Sequence, residues 1–223
     1  MNYDQTLSRV ETYFDKTALK TWERLTSKAP VSRIRQSVRR GRDEMRMKLI
    51  SQLPKDLSGA RVLDAGCGTG QLSEELALRG CQVVAADISP SLLQVARSRI
   101  PGHLQKNIEF ITGDMVSREL GNFDYIIAMD SLIYYNRIDL GSLLLELSSR
   151  TSHSIYFTLA PKTMLLMLMW YIGKLAPSGD RSPVMVPHSF KAISKELGAN
   201  LELTDLGIVN SGFYISHAIG CRK

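Results

Sequence analysis

The middle of the chain alternates short apolar runs with segments whose apolar residues recur at helical spacing. The apolar runs are RVLDA (61–65), CQVVAAD (81–87), NIEFITGD (107–114), FDYIIAMD (123–130) and SIYFTLA (154–160). Residues 71–80, 89–100 and 137–150, which lie between such runs, have the periodicity of helices. Strands that are apolar on both faces and alternate with helices predict an α/β fold, with a parallel sheet covered on both sides.

The ends of these elements carry their own signals. Ser89 suits the N-cap of the second helix and Pro90 its first position, while Gly80 ends the helix before it. Towards the end of the chain, a helix is expected around Phe190 to Leu197. Two β-like runs follow it, residues 201–209 and 212–220.

Two further regions flank or interrupt this alternation. Residues 1–53 are predicted to form an N-terminal helical arm, with apolar positions at Val10, Phe14, Leu19, Trp22, Ile34, Val38, Met45, Leu49 and Leu53. Residues 54–223 form the main domain, with a less regular, lid-like insertion near 161–187. We therefore predict an arm and one domain that carries a lid.

The insertion contains an apolar run, Met164 to Ile172, that is only nine residues long. A helix needs about 20 apolar residues to cross a bilayer, so this run is too short to be a transmembrane segment. Three interpretations stay open: a buried helix, a helix in the membrane interface, or a pocket wall in which Trp170 contacts a flat ligand. We favour the pocket wall, with membrane contact as a secondary role.

Composition narrows the class of partner and the compartment. The formal net charge of +6 favours acidic partners. Three cysteines without a CxxC pair indicate a reducing compartment, and the N-terminus lacks the apolar core of a signal peptide, so a cytoplasmic location is expected. The four histidines lie far apart, so no protein-bound metal is expected.

Three glycines follow the first predicted strand. Gly66, Gly68 and Gly70 allow a tight turn and a close approach of a ligand to the backbone at the carboxyl end of the strand. No Gly-Lys-Ser/Thr follows, and the last glycine of a dinucleotide fingerprint is replaced by Gln71. Asp64, just before the glycines, would repel a pyrophosphate. It favours a ligand with an ammonium group, such as S-adenosylmethionine.

Acidic residues follow the next three strands in turn. Asp87 closes the second strand and could accept both ribose hydroxyls of a nucleoside. Asp114 ends the third strand, where it could accept from an adenine amino group. Asp130 ends the fourth, near the expected position of the methyl group. One carboxylate at the tip of each of four successive strands therefore predicts a site for an adenosyl cofactor.

These motifs resemble those of the class I S-adenosylmethionine-dependent methyltransferases. The resemblance rests on LDAGCGTG, on Asp87 and on the later GDM. It implies a Rossmann-like fold whose seven-stranded, mostly parallel sheet ends in an antiparallel strand. With it come further candidate contacts to the methyl donor: Ile88, Met115, Met129 and, for the donor's carboxylate, Arg39.

The segments outside this core bear on the methyl acceptor. MDSLIYYN lacks the Asn/Asp-Pro-Pro-aromatic signature of base methylation, so a nucleic acid is not expected. VETYFDKTALKTWERL, VSRIRQSVRRGRDEM, TLAPKT, RSPVMVPH and GFYIS resemble the magnesium-protoporphyrin IX O-methyltransferases of bacteriochlorophyll synthesis. This resemblance implies methylation of one propionate carboxylate of a magnesium porphyrin, with magnesium present only in the substrate. Contact with the magnesium chelatase and a peripheral position at the photosynthetic membrane are expected as well.

The acceptor site is expected to use the arginines of the arm, because arginine suits a propionate. We expect Arg40 to bind the substrate. Further substrate-binding candidates are Trp22, Tyr135, Trp170 and His188. Tyr134 stands where some family members have a histidine. A phenol is a poor base but a good hydrogen-bond donor, so we assign it as the catalytic orienter, with packing on the cofactor as the alternative.

Three other functions stay open. A related O-methyltransferase could act on another small acid or on a quinone precursor, although a phenol would need a general base and no histidine follows the fourth strand. A nicotinamide oxidoreductase is disfavoured by Asp64 and by the missing last glycine. A non-catalytic module that binds S-adenosylmethionine fits the same residues.

Overall fold

A central seven-stranded sheet organises the molecule. The computed structural model describes residues 3–162 and 185–223. The strands are β1 Arg61–Ala65, β2 Gln82–Asp87, β3 Ile108–Thr112, β4 Phe123–Ala128, β5 Thr151–Leu159, β6 Glu202–Asn210 and β7 Ile215–Arg222. Their order is β3-β2-β1-β4-β5-β7-β6, and only β7 runs antiparallel to its neighbours. The predicted sheet with an antiparallel last strand is confirmed.

The strand order reverses at β1, which pairs with β2 on one side and with β4 on the other. Asp64 in β1 is level with Ala85 in β2 and Ile127 in β4. Parallel strands bring their carboxyl ends to one edge of the sheet, and a crevice opens there where the order reverses. The glycine turn after β1 lies at this crevice.

Helices cover the sheet. They are α1 Tyr3–Thr12, α2 Leu19–Leu25, α3 Arg33–Ile50, α4 Gln71–Leu78, α5 Pro90–Arg99, α6 Gly102–Gln105, α7 Arg137–Ser149 and α8 Phe190–Leu197. A π-helical turn, Tyr13–Thr17, joins α1 to α2. The Ser89 side chain accepts from the Leu92 backbone N–H and Pro90 opens α5, as the sequence predicts.

The sequence-based boundaries differ from the structure in several places, and β5 begins at Thr151 rather than at residue 154. The arm is not continuously helical, since residues 26–32 separate α2 from α3 and include Pro30. Strands β3 and β4 end two residues before Asp114 and Asp130, so both acids lie in turns. The last strand begins at Ile215 rather than near residue 212, because the backbone turns where the Ser211 N–H donates to the Tyr214 carbonyl.

Two apolar clusters form the core, one on each face of the sheet. Neighbouring β4 residues divide between them, with Ile126 in one and Ile127 in the other, as the alternation of a strand requires. Met45 and Leu49 of α3 are fully buried in the cluster that contains Ile127, and each such burial contributes about 1.5–3 kcal/mol. Ile34, expected on the apolar face, is 52% exposed.

Helix α3 is thus held by the core of the main domain, whereas α1 and α2 bury few apolar side chains, Leu25 among them. The boundary at residue 53 stays a prediction. The apolar run Met164 to Ile172, with Trp170, lies outside the described residues. In the described parts of the chain, no helix combines the length and apolarity needed to cross a membrane.

Candidate active site

A pocket that is partly open to solvent lies at the carboxyl ends of the central strands. Its empty space is about 1000 Å³ when the solvent at its mouth is included. The glycine turn forms its floor, and α1, α2 and α3 of the arm cover it. Four acids line it: Asp64, Asp87, Asp114 and Asp130.

The glycine turn brings backbone rather than side chains to the pocket. Gly66 and Gly68 line it with positive φ angles of 80° and 54°. A Cβ at Gly66 would overlap the Cβ of Ser131, whose hydroxyl donates to the Ala65 carbonyl at 2.7 Å. Gly70 does not line the pocket. It opens α4, and a Cβ there would lie 2.9 Å from atoms of α5, so its role in the structure is packing.

Asp64 is buried beneath this turn and accepts a 2.6 Å hydrogen bond from the Ser73 hydroxyl. Burial raises the pKa of Asp64 to about 7; the Ser73 hydrogen bond opposes this rise, and the nearby Asp87 adds to it. Within the described residues, no basic side chain forms an ion pair with Asp64. A buried acid without a counter-ion fits a ligand that supplies a positive charge.

Asp87 is buried at the end of β2 and tied to the backbone on both sides. Its two oxygens accept from the N–H groups of Gly68 (2.7 Å) and Ser89 (2.9 Å). Burial raises its pKa, and these hydrogen bonds oppose the rise. The carboxylate is therefore fixed in direction, with Ile88 beside it in the pocket wall.

Asp114 meets the first helix of the arm. The Tyr3 hydroxyl lies 2.8 and 2.7 Å from its two oxygens, and the Tyr3 ring stacks on Tyr135 at a centroid distance of 5.3 Å. Burial and the neighbouring Tyr135 and Asp114 raise the pKa of the Tyr3 hydroxyl, so it remains a neutral donor. Met115 lines the pocket next to Asp114. The contact joins residues 111 positions apart, and no sequence signal indicated it.

Asp130 forms an ion pair with Arg42 of α3. Its backbone has a φ of 58°, and it is the only non-glycine residue with positive φ in the described part of the chain. The Tyr214 hydroxyl also donates to Asp130, at 3.0 Å. Met129, before it, lines the pocket. The expectation that the methyl donor lies near Asp130 stays a prediction.

Aromatic rings form the wall beside Arg42. The guanidinium carbon of Arg42 lies 4.7 Å from the ring centroid of Trp22. Phe14 packs between Trp22 and Tyr134, with ring centroid distances of 5.6 and 6.1 Å. Burial raises the pKa of the Tyr134 hydroxyl, with a further rise from Asp130, so this group remains protonated at neutral pH. Tyr135 also lines the pocket.

Three predicted site residues occupy other positions. Arg39 donates to the carbonyls of Leu25, Arg24 and Ala29 and so fastens the loop between α2 and α3. Arg40 is exposed and donates to the Ser211 hydroxyl at 3.0 Å. His188 is buried, with its Nε2 2.9 Å from the Tyr135 carbonyl oxygen. None of them lines the pocket.

The arginines that do line the pocket are Arg42 and Arg46. They are four residues apart on α3 and therefore share one face of that helix, whereas Arg40 projects from another. The spacing of Arg42 and Arg46, taken together with the buried face of α3, could therefore have identified them from the sequence.

The strand order, the glycine turn after β1 and the acid at the end of β2 define a class I S-adenosylmethionine-dependent methyltransferase. Consistent with this, the sequence profile described as "Methyltransferase domain" matches residues 62–152. A second profile, "Magnesium-protoporphyrin IX methyltransferase C-terminus", matches residues 128–223.

The magnesium-protoporphyrin O-methyltransferase of Rhodobacter capsulatus is 50% identical to this chain over 222 residues, which is 99% of this chain and 98% of the relative. The chain belongs to the magnesium-protoporphyrin O-methyltransferase family.

Other similarities differ in extent. A crystal structure of magnesium protoporphyrin IX methyltransferase from Synechocystis PCC 6803 with bound SAH has a TM-score of 0.80 and 28% identity, covering 99% of this chain and all of that one. A ubiquinone biosynthesis O-methyltransferase from Xanthomonas oryzae is 42% identical, but over only 79 residues, 34% of this chain and 33% of the relative. The ubiquinone biosynthesis O-methyltransferase of Xylella fastidiosa is 33% identical over 155 residues, 66% of this chain and 63% of the relative. Both of these matches cover less of the chain than the match to the Rhodobacter capsulatus enzyme does.

Proposed function

We propose that this protein transfers a methyl group from S-adenosylmethionine to a propionate carboxylate of magnesium protoporphyrin IX, giving the monomethyl ester in (bacterio)chlorophyll biosynthesis. The observation that supports this best is the division of the pocket. One part is lined by buried acids and glycine backbone, and the other by aromatic rings and Arg42. The first suits a cationic adenosyl donor and the second a flat, anionic acceptor.

The donor end would use the strand-tip acids. Asp64 would meet the ammonium group, since it lacks a counter-ion, and Asp87 the ribose hydroxyls, since its carboxylate is fixed by two backbone N–H groups. Asp114 would accept from the adenine amino group, a position that it shares with the Tyr3 hydroxyl. Gly66 and Gly68 would let the donor approach the backbone closely.

Methyl transfer to an ionised carboxylate needs no general base among the residues that would hold the acceptor. Bound S-adenosylmethionine supplies a methyl group on a sulfonium, and an ionised propionate oxygen can displace the sulfur without a general base. The protein's task is to hold the carboxylate in line at about 3–3.5 Å and to exclude water. Tyr134, half-buried and protonated beside Asp130, is suited to orient the acceptor by donating a hydrogen bond rather than to remove a proton.

A single-turnover assay with methyl-labelled S-adenosylmethionine tests this proposal. Magnesium protoporphyrin IX should become labelled in an alkali-labile ester, while a catechol that models quinone precursors should not. Labelling of the catechol alone would favour the quinone alternative. Labelling of neither, with the donor bound, would favour the non-catalytic module.

The sequence also points to two partners besides the substrate, the photosynthetic membrane and the magnesium chelatase. We propose peripheral contact with the photosynthetic membrane on the basis of the net charge of +6 and the apolar run Met164 to Ile172. Contact with the magnesium chelatase is proposed from the family resemblance alone. Co-sedimentation with anionic vesicles and co-purification with chelatase subunits would test the two separately.

A further inference from the structure

In the part of the chain that the structure describes, Arg42 has fewer carboxylate partners than Arg46, the other arginine that lines the pocket. Arg46 pairs with two carboxylates, Glu75 through Nε and Asp43 through Nη1, so two of its three nitrogens are engaged. Arg42 pairs with one carboxylate, that of Asp130, among the described residues. A guanidinium carries five N–H donors in a planar fork, and one of its nitrogens, Nη1, serves Asp130.

Asp130 is bound more firmly than Arg42. Beyond Arg42, its carboxylate accepts from the hydroxyls of Tyr214 (3.0 Å) and Thr158 (3.2 Å), and its backbone N–H donates to the Thr158 hydroxyl at 2.8 Å. Its left-handed backbone at φ 58° is an uncommon conformation that surrounding contacts must maintain. Asp130 is therefore the fixed member of the pair, and Arg42 is oriented by it.

Trp22 fixes Arg42 from a second direction. The guanidinium lies over the indole ring at 4.7 Å, a cation–π contact that holds the fork against the aromatic wall. The Arg42 side chain is 18% exposed, so an edge of it still faces the pocket. An arginine held in this way has lost much of its rotamer freedom before any ligand arrives, which favours binding.

The charges of the pocket point to one place for an anion. Four acids line it, and Arg46 lies between two carboxylates. Arg42 has one carboxylate partner among the described residues, which leaves the N–H groups of Nε and Nη2 to face a ligand. We propose that Arg42 is the residue that selects and holds the acceptor carboxylate, and that Asp130 is a positioning residue that aims it. This inference rests on the proposed function, which supplies an acceptor with a carboxylate.

Two porphyrins that differ in whether their propionates are ionised separate this role from a structural one. Magnesium protoporphyrin IX carries two propionates and its dimethyl ester carries none. Absorbance titrations with S-adenosylhomocysteine present give both dissociation constants without turnover. Wild-type protein should prefer the diacid, and Arg42→Met should reduce this preference about tenfold or more, since hydrogen bonds to charged groups contribute roughly 1.5–3 kcal/mol.

Companion variants distinguish the two residues. Asp130→Asn should reduce the preference by a smaller factor, because the amide still accepts from Tyr214 but no longer pairs with Arg42. Arg42→Lys should restore part of the preference through its charge. Arg35→Met, on an exposed position of the same helix, should leave it unchanged.

Equal loss of affinity for both probes in Arg42→Met would overturn the inference, because a purely structural role predicts that result. An unchanged preference in Asp130→Asn would remove Asp130 from its positioning role. Should Arg42→Met fail to fold by circular dichroism, Arg42→Gln gives the same comparison. Absence of turnover in wild type would defeat the proposed function, whereas a carboxylate preference that depends on Arg42 would persist.

Discussion

At the scale of single residues, surroundings rather than residue type distinguish the acids of the pocket. Asp64 is buried with one hydroxyl donor, Asp87 is tied to two backbone N–H groups, and Asp130 is paired with Arg42. A carboxylate without a cation bears the full cost of burial, whereas a paired one does not. The same side chain can therefore bind a cation in one place and orient an arginine in another.

Asp87→Ala should weaken S-adenosylmethionine binding, because it removes the fixed carboxylate that we propose accepts both ribose hydroxyls. We expect a loss of roughly 1.5–3 kcal/mol by isothermal calorimetry. Asp124→Ala provides a control of the same type at the opposite end of the strands, where that acid accepts from the Arg61 N–H. Unchanged donor affinity in Asp87→Ala would remove this residue from the site.

Asp64 should make the stability of the donor-free protein depend on pH. Its folded pKa of about 7 lies above the ordinary carboxyl value, so its contribution to stability is complete at low pH and is lost as pH rises through 7. Asp64→Asn should lack this dependence. The difference in free energy of unfolding between variant and wild type should therefore shift in favour of the variant from about pH 4 to about pH 7.

Urea denaturation across this pH range measures the difference. Asp56→Asn serves as a control, because this exposed acid has a lowered pKa and its effect should be constant above about pH 5. Parallel curves for wild type and Asp64→Asn would mean that Asp64 is already ionised in the folded protein.

At the scale of elements, α3 links the core to the pocket. Its buried residues, Met45 and Leu49, pack against the sheet, while Arg42 and Arg46 face the pocket. Gly41 allows this close approach: a Cβ there would lie 2.5 Å from Cδ1 and 2.9 Å from Cβ of Tyr214. The position of α3, and with it that of Arg42, therefore depends on a residue without a side chain.

Gly41→Ala should displace α3 or Tyr214, even though alanine favours a helix by about 1 kcal/mol over glycine. We expect a lower melting temperature and a higher porphyrin KM. Gly102→Ala is the matched control, because a Cβ there meets no atom within 4 Å. Stabilisation in both variants would show that α3 tolerates the added carbon.

At the scale of the whole molecule, the arm is fastened along α5 at both ends. Asp15 accepts from the Ser89 hydroxyl and the Ser91 N–H at the start of α5. Near its end, Arg99 donates to the Thr26 hydroxyl and the Glu23 carbonyl. Residues 3–25 of the arm bury few apolar side chains, so these polar ties hold α1 and α2 over the pocket. Local opening of α1 and α2 should therefore cost less than global unfolding.

The double variant Asp15→Ala with Arg99→Ala removes the hydrogen bonds at both ends of α5. It should release α1 and α2 from the pocket without unfolding the sheet. Amide hydrogen exchange should speed up in residues 3–25 while β1 and β4 stay protected, and the donor should dissociate faster. Arg118→Ala, which removes an exposed pair with Glu146, is the control. Equal acceleration of exchange in the strands would show that the arm is part of the cooperative core.

The sequence by itself determined the alternation of strands and helices, the glycine turn and the acids at four strand ends. These features are local, because periodicity fixes which face of an element is buried and parallel strands bring their ends to one edge. The placement of Asp64 and Asp87 at that edge therefore follows from the local pattern alone.

Only the tertiary structure decided which distant groups meet. Tyr3 reaches Asp114 across 111 positions, and Tyr214 reaches Asp130 across 84. The tertiary structure also decided that Arg42 rather than Arg40 faces the pocket. The rotation of α3 about its axis is set by the contact of Gly41 with Tyr214 and by the burial of Met45. Which side chains meet depends on how the helices and strands pack together. The packing energy comes from contacts between residues far apart in the sequence, which a local pattern does not reveal.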